Sequence, residues 1–295
     1  MADVRWLWAA ALATGCATTP TVAPTFTYAP RAGTHYVRTV KVVNETSVIG
    51  SPLRQREEQE FVWNVAFTRQ GDLTLVTHQL QRLTVRVNDA EVLGGERAPR
   101  EALSVDLLVN SEPRVLEVRG AERAALILSS LAPAASDGTS GPVIGPEQVR
   151  QIAVALFEMA VRDVVGHPTA AGSTWVASDP DPAVDRKRMS VDGLEPCGVA
   201  RCARVTARYQ MSSQGAARAM RSARAFLERS GVNPAETEVL DAHLDYHDEL
   251  LLEPGTLVDH GARFSRITRV TFGGPQGTPI PVEFRATLEQ SSTFP

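Results

Sequence analysis

The sequence predicts an α+β protein that is mainly a curved antiparallel β-sheet or partial barrel with a few packing helices. Apolar residues recur at every second position through most of the chain, which is typical of strands with one buried face. The predicted elements run in the order strands, helices, strands, helix, strands. A parallel sheet needs regular alternation of strands and helices, so this order favours antiparallel pairing.

A long hairpin is predicted over residues 61–88. Apolar side chains alternate over residues 61–68, the chain turns at Gly71-Asp72, and alternation resumes over residues 73–88. Because successive side chains point to opposite faces of a strand, this hairpin has one strongly apolar face. We expect residues 36–43 and 102–109 to supply the neighbouring strands.

Three helices are predicted, near residues 122–131, 146–166 and 216–230. Pro146 suits the first position of the second helix, and Gly166 lies at its predicted end. The chain then closes with a predicted pair of strands, residues 264–272 and 280–288, joined by a glycine-rich segment.

Two histidines, His243 and His247, are the candidate metal ligands. Asn233 and Pro234 resemble a helix start, and on a helix the two imidazoles would lie about 6 Å apart. However, residues 240–247 alternate strictly between apolar and polar, which predicts a strand that separates the imidazoles by about 13 Å. We therefore predict no metal and no cofactor, and keep a metal-dependent hydrolase using these histidines as the alternative.

Charge and motifs exclude further classes of function. The formal net charge is −4 and the basic residues are spread along the chain, so we expect no nucleic-acid partner. No glycine-rich phosphate loop precedes a helix, and no nucleophile elbow follows a strand. We expect a protein that is not an enzyme.

The N-terminus resembles a bacterial lipoprotein signal. Arg5 precedes an apolar run over residues 6–13 and then Thr14, Gly15 and Cys16. The run is too short to span a bilayer but matches the apolar core of an export signal. The resemblance implies a signal peptide over residues 1–15 and lipid attached to Cys16, which anchors the protein in the cell envelope.

The same resemblance divides the rest of the chain. Residues 16–33 are rich in Pro and Thr and suit a tether, and residues 34–295 form a single β-rich domain. Ala17 follows the anchor where Asp would indicate inner-membrane retention, so we expect the outer membrane, with the domain facing the periplasm or the surface. The remaining cysteines, Cys197 and Cys202, predict a disulfide in an oxidising compartment.

The whole layout resembles uncharacterised bacterial exported proteins, with Gly172-Ser173-Thr174-Trp175 as the local match. Its architecture is similar to periplasmic lipoprotein carriers, in which a curved antiparallel sheet covered by helices holds an acyl chain. The resemblance implies a non-catalytic binding or scaffold role, with a lipid or other apolar ligand and other envelope proteins as partners.

Overall fold

A computed structural model describes residues 24–93, 103–131, 145–178, 182–232, 238–274 and 278–295. The predicted signal peptide, Cys16 and most of the predicted tether lie outside the described residues. None of the described helices is both long and apolar enough to cross a bilayer.

The described residues form twelve strands and three helices. The first half of the chain contains β1 (His35–Val48), β2 (Arg54–Gln70), β3 (Leu73–Val87), β4 (Ala90–Leu93), β5 (Ser104–Val109), β6 (Val115–Arg119), α1 (Ala121–Leu131) and α2 (Pro146–Val161). The second half contains β7 (Thr174–Ala177), β8 (Val184–Cys197), β9 (Ala200–Met211), α3 (Ser213–Arg229), β10 (Val239–Leu252), β11 (Asp259–Gly273) and β12 (Pro279–Thr293).

The strands make one open antiparallel sheet, which confirms the predicted fold class. Its order is β6-β5-β3-β2-β1-β12-β11-β10-β9-β8-β7, and β4 pairs with β3 off this path. The predicted hairpin is β2–β3, which turns at Gly71, where the positive φ of 61° favours glycine. The centre of the sheet is a long-range pair, because β1 and β12 are matched from Val37 to Val48.

The three helices overlap the predicted ranges, and the second and third differ from them at their ends. The second helix ends at Val161, before the predicted boundary, and the chain continues in turns to Gly166, which has a positive φ of 79°. The third helix begins after Ser212, whose side chain accepts a hydrogen bond from the backbone N–H of Gly215 and so satisfies one of the free donors of the first turn.

The two faces of the sheet differ in chemistry. We call outer the face that carries ion pairs between neighbouring strands, such as Arg263 with Glu289 and Arg269 with Glu283. The inner face is mainly apolar, and all three helices pack on it. The protein therefore has two layers, a sheet and a helical layer.

The inner face is covered at its two ends by separate cores. The larger core packs α1, α2 and residues 26–28 against one end of the strands. The smaller core packs the apolar side of α3, including Phe226 and Leu227, against Val270, Phe272 and Val282 at the other end.

Candidate binding surface on the inner face

The structure places His243 and His247 on β10, which is a strand from Val239 to Leu252. Both imidazoles lie on the outer face, since Leu244 and Tyr246 point inward between them. Among the described residues, neither histidine belongs to a cluster of three metal-ligating side chains. The helical conformation that would bring the two imidazoles together is absent from this segment.

Cys197 and Cys202 are joined by a disulfide between the end of β8 and the start of β9, with Cα atoms 5.8 Å apart. His260 is far from both cysteines in sequence, but the structure brings a nitrogen of its ring within 4.8 Å of both sulfurs. Glu253 lies 2.8 Å from His260 Nε2. Sulfurs joined in a disulfide are not thiolates and do not ligate a metal ion in this form.

Charged residues that sequence reasoning missed are buried in the larger core. Lys187 is 3% exposed and its Nζ lies 2.9 Å from Asp163 Oδ2. The Tyr209 hydroxyl donates a hydrogen bond to Asp248, which is 2% exposed. Since a buried charge is stable only when it is paired, these contacts hold β8, β9 and β10 against the turn after α2.

A second cluster of polar residues in the larger core lies closer to the centre of the sheet. The Arg38 guanidinium donates to Asp259 Oδ2 and to the Tyr36 hydroxyl, both at 2.6 Å, and Ser292 donates to Asp259 at 3.2 Å. Burial and the neighbouring Arg38 charge lower the pKa of His78 to about 3, so this imidazole is neutral near pH 7. Burial also raises the pKa of Tyr36 above its ordinary value.

Between the two cores the inner face is only half covered. We call this region the inner strip and define it by half-buried residues of the central strands: Val40, Val42, Phe61, Leu244, Tyr246, Arg266, Thr268, Phe284, Ala286 and Leu288. Cross-strand pairing places Phe284, Thr268 and Leu244 in one row and Ala286, Arg266 and Tyr246 in the next. The strip is mainly apolar and partly reached by solvent, and on β1 and β2 it is bordered on the same face by the polar residues Asn44, Glu57 and Gln59.

Arg266 is the charged residue of the inner strip. Its guanidinium carbon lies 5.1 Å from the centre of the Tyr246 ring and 6.0 Å from that of Tyr209. Sequence reasoning did not single it out, although Phe264, Arg266 and Thr268 share one face of β11. Arg266 lies two residues after Phe264 on a predicted strand, so alternation alone could have placed it on the same face as that apolar residue.

Solved structures provide the comparisons that bear on this fold. A lipovitellin structure, described as showing lipid–protein interactions, aligns with a TM-score of 0.50 and 9% identity over 89% of this chain and 25% of that chain. DynF from the dynemicin biosynthesis pathway of Micromonospora chersina aligns with a TM-score of 0.20 and 8% identity, over 94% of this chain and 92% of that one. A DUF1329 family protein from Desulfovibrio piger aligns with a TM-score of 0.16 and 9% identity, over 88% and 85%.

No protein-family model matches the sequence, and no curated protein is similar to it. The alignments with DynF and with the DUF1329 family protein have TM-scores too low to indicate a shared fold. At 9% identity the lipovitellin alignment shows a shared fold alone, and this chain spans a quarter of the lipovitellin chain. The chain is therefore similar in fold to part of lipovitellin.

Proposed function

We propose that this protein is a lipid-anchored component of the bacterial cell envelope whose folded domain binds an apolar ligand without catalysis. The inner strip carries the proposal. It is a broad apolar surface on the face that the helices cover at both ends, and its side chains remain half-buried.

The hydrophobic effect favours binding of an apolar ligand to such a surface. Apolar area removed from water contributes roughly 25 cal/mol per Å², so a hydrocarbon ligand that covers the strip gains from each side chain that it touches. Contiguous apolar patches on soluble proteins often mark binding sites. The lipovitellin structure, which shares the fold, is described by its lipid–protein interactions, and this supports a lipid as the ligand.

The anchor is the second part of the proposal and rests on the lipoprotein-like signal that ends at Cys16. An acyl anchor would hold the domain at the membrane surface, where apolar ligands are concentrated. A detergent-phase partition assay on the wild type and on Cys16→Ala tests this part. We expect the wild type to be processed and to enter the detergent phase, and Cys16→Ala to lose the acyl anchor, whereas identical partition and processing of both forms would contradict the anchor.

Native mass spectrometry of protein purified from membranes tests the binding role. We expect non-covalently bound lipid on the wild type and its loss in Ala286→Trp, because the new indole fills the strip. Thr287→Trp is the matched control, since Thr287 is also half-buried but lies on the outer face one residue along β12. Equal lipid on both variants, or none on the wild type, would contradict the binding role.

A further inference from the structure

Arg266 differs from the other arginines of its own strand. Arg263 and Arg269 lie on the outer face and form ion pairs with Glu289 and Glu283 at 3.2 and 2.6 Å. Arg266 points inward between Ala286 of β12 and Tyr246 of β10. Among the described residues, no carboxylate forms an ion pair with it, and its contacts are the faces of two tyrosine rings.

Other inner-face cations show that this fold pairs such groups with acids. The Arg38 guanidinium lies 2.6 Å from Asp259, and the Lys187 ammonium lies 2.9 Å from Asp163. Both of those pairs are buried inside the larger core, where an unpaired charge would be costly. Arg266 instead lies where the helical layer leaves the face half covered, so an anion from outside the protein can reach it.

The surroundings of Arg266 strengthen an interaction with such an anion. The apolar side chains of the inner strip lower the local dielectric relative to open water, which increases the attraction between opposite charges. The two tyrosine faces attract the cation and limit its orientation. A guanidinium also offers paired N–H donors that fit the two oxygens of a carboxylate or phosphate.

We propose that the inner strip binds an anionic amphiphile, with its carboxylate or phosphate on the Arg266 guanidinium and its hydrocarbon chain on the apolar side chains of the strip. This inference rests on the proposed function, because it requires that the strip hold an apolar chain. It adds the charge of the ligand and the residue that recognises it. Phe284 and Leu288 flank the row of Arg266 on β12, so the chain has apolar contacts on either side of the head group.

The test compares ligands that differ only in the head group. The full chain carrying Cys16→Ala, purified without detergent, is titrated with a long-chain fatty acid, the alkyl phosphate and the fatty alcohol of equal chain length. We expect the two anionic ligands to bind about tenfold more tightly than the alcohol, since hydrogen bonds to charged groups are the stronger ones. The preference should weaken as salt is added.

Variants at Arg266 then distinguish the role of Arg266 in recognising the head group from the binding of the apolar chain. Arg266→Gln should abolish the preference for the anionic ligands while alcohol binding stays within about twofold, and Arg266→Lys should keep part of the preference because it retains the charge. Arg263→Gln, on the outer face, should bind as the parent does. A preference that survives in Arg266→Gln would overturn the role of Arg266 and leave the binding function standing. If no ligand binds to the parent chain, the binding function itself fails.

Discussion

The two cores on the inner face are built by different means. The larger core joins segments that are distant in sequence, and it contains buried ion pairs such as Lys187 with Asp163 and Arg38 with Asp259. The buried members of the smaller core are apolar residues, and one amphipathic helix, α3, covers it. The smaller core also joins distant segments, because Val48 of β1 packs there with Val282 of β12. We infer that buried charge contributes to the arrangement at one end of the sheet, whereas apolar packing alone suffices at the other.

Removal of one buried charge from the larger core should cause the largest loss of stability. Lys187→Met removes the buried ammonium from Asp163 and leaves that carboxylate only the partly exposed Arg162 guanidinium at 3.2 Å, so we expect a loss of about 4 kcal/mol in the free energy of unfolding. Urea denaturation measures it. Arg263→Met is the control, because it breaks an exposed pair whose loss should cost under about 1 kcal/mol. Equal losses would show that buried charge does not stabilise the larger core.

A cavity in the smaller core should have a more local effect. Leu227 is fully buried under α3, and Leu227→Ala should cost about 3 kcal/mol. We expect hydrogen exchange to accelerate in α3 and in the strand ends near Phe272 and Val282, with protection in the larger core unchanged. Arg229→Ala, at the exposed end of α3, is the control. Equal acceleration across both cores would mean that they unfold as one unit.

Acid should weaken the larger core more than the smaller one. The pKa of His78 is about 3 in the folded protein and about 6.5 in an unfolded chain, so the unfolded state binds more protons between these values. Stability therefore falls as the pH drops below about 6.5, and because His78 is half-buried we expect a loss of about 2 kcal/mol by pH 4.

The measurement is urea denaturation as a function of pH. His78→Gln should flatten the curve between pH 6.5 and 4, and the exchange of amides in α3 should be insensitive to this substitution. A wild-type curve that matches that of His78→Gln would contradict the role of His78.

Sequence reasoning found the elements whose signal is local. Strict alternation identified β10 as a strand, because side chains on a strand alternate between faces whatever the rest of the chain does. The turn at Gly71 and the antiparallel fold class also follow from local patterns. The strand β8 was not predicted, since it begins with the polar residues Asp185, Arg186 and Lys187, although Lys187 is buried.

The side-chain clusters depend on contacts between residues that are distant in sequence, and local patterns do not reveal such contacts. The proximity of His260 to the Cys197–Cys202 disulfide arises from the pairing of β9 with β10 and of β10 with β11. The isolated position of Arg266 appears only when the partners of Arg263 and Arg269 are known. Periodicity gives the face on which a side chain lies, whereas the register of the sheet decides which neighbours it meets.

The pairing of β1 with β12 sets the order in which this molecule can assemble. Until residues Pro279–Thr293 have emerged, β1 and β11 each present an unpaired edge, and the two halves of the sheet lack the strand that joins them. Pairing of such distant segments folds slowly, because the loop must close before the contacts form. This delay postpones completion of the sheet until its final strand arrives, which is compatible with the export that we propose for this chain.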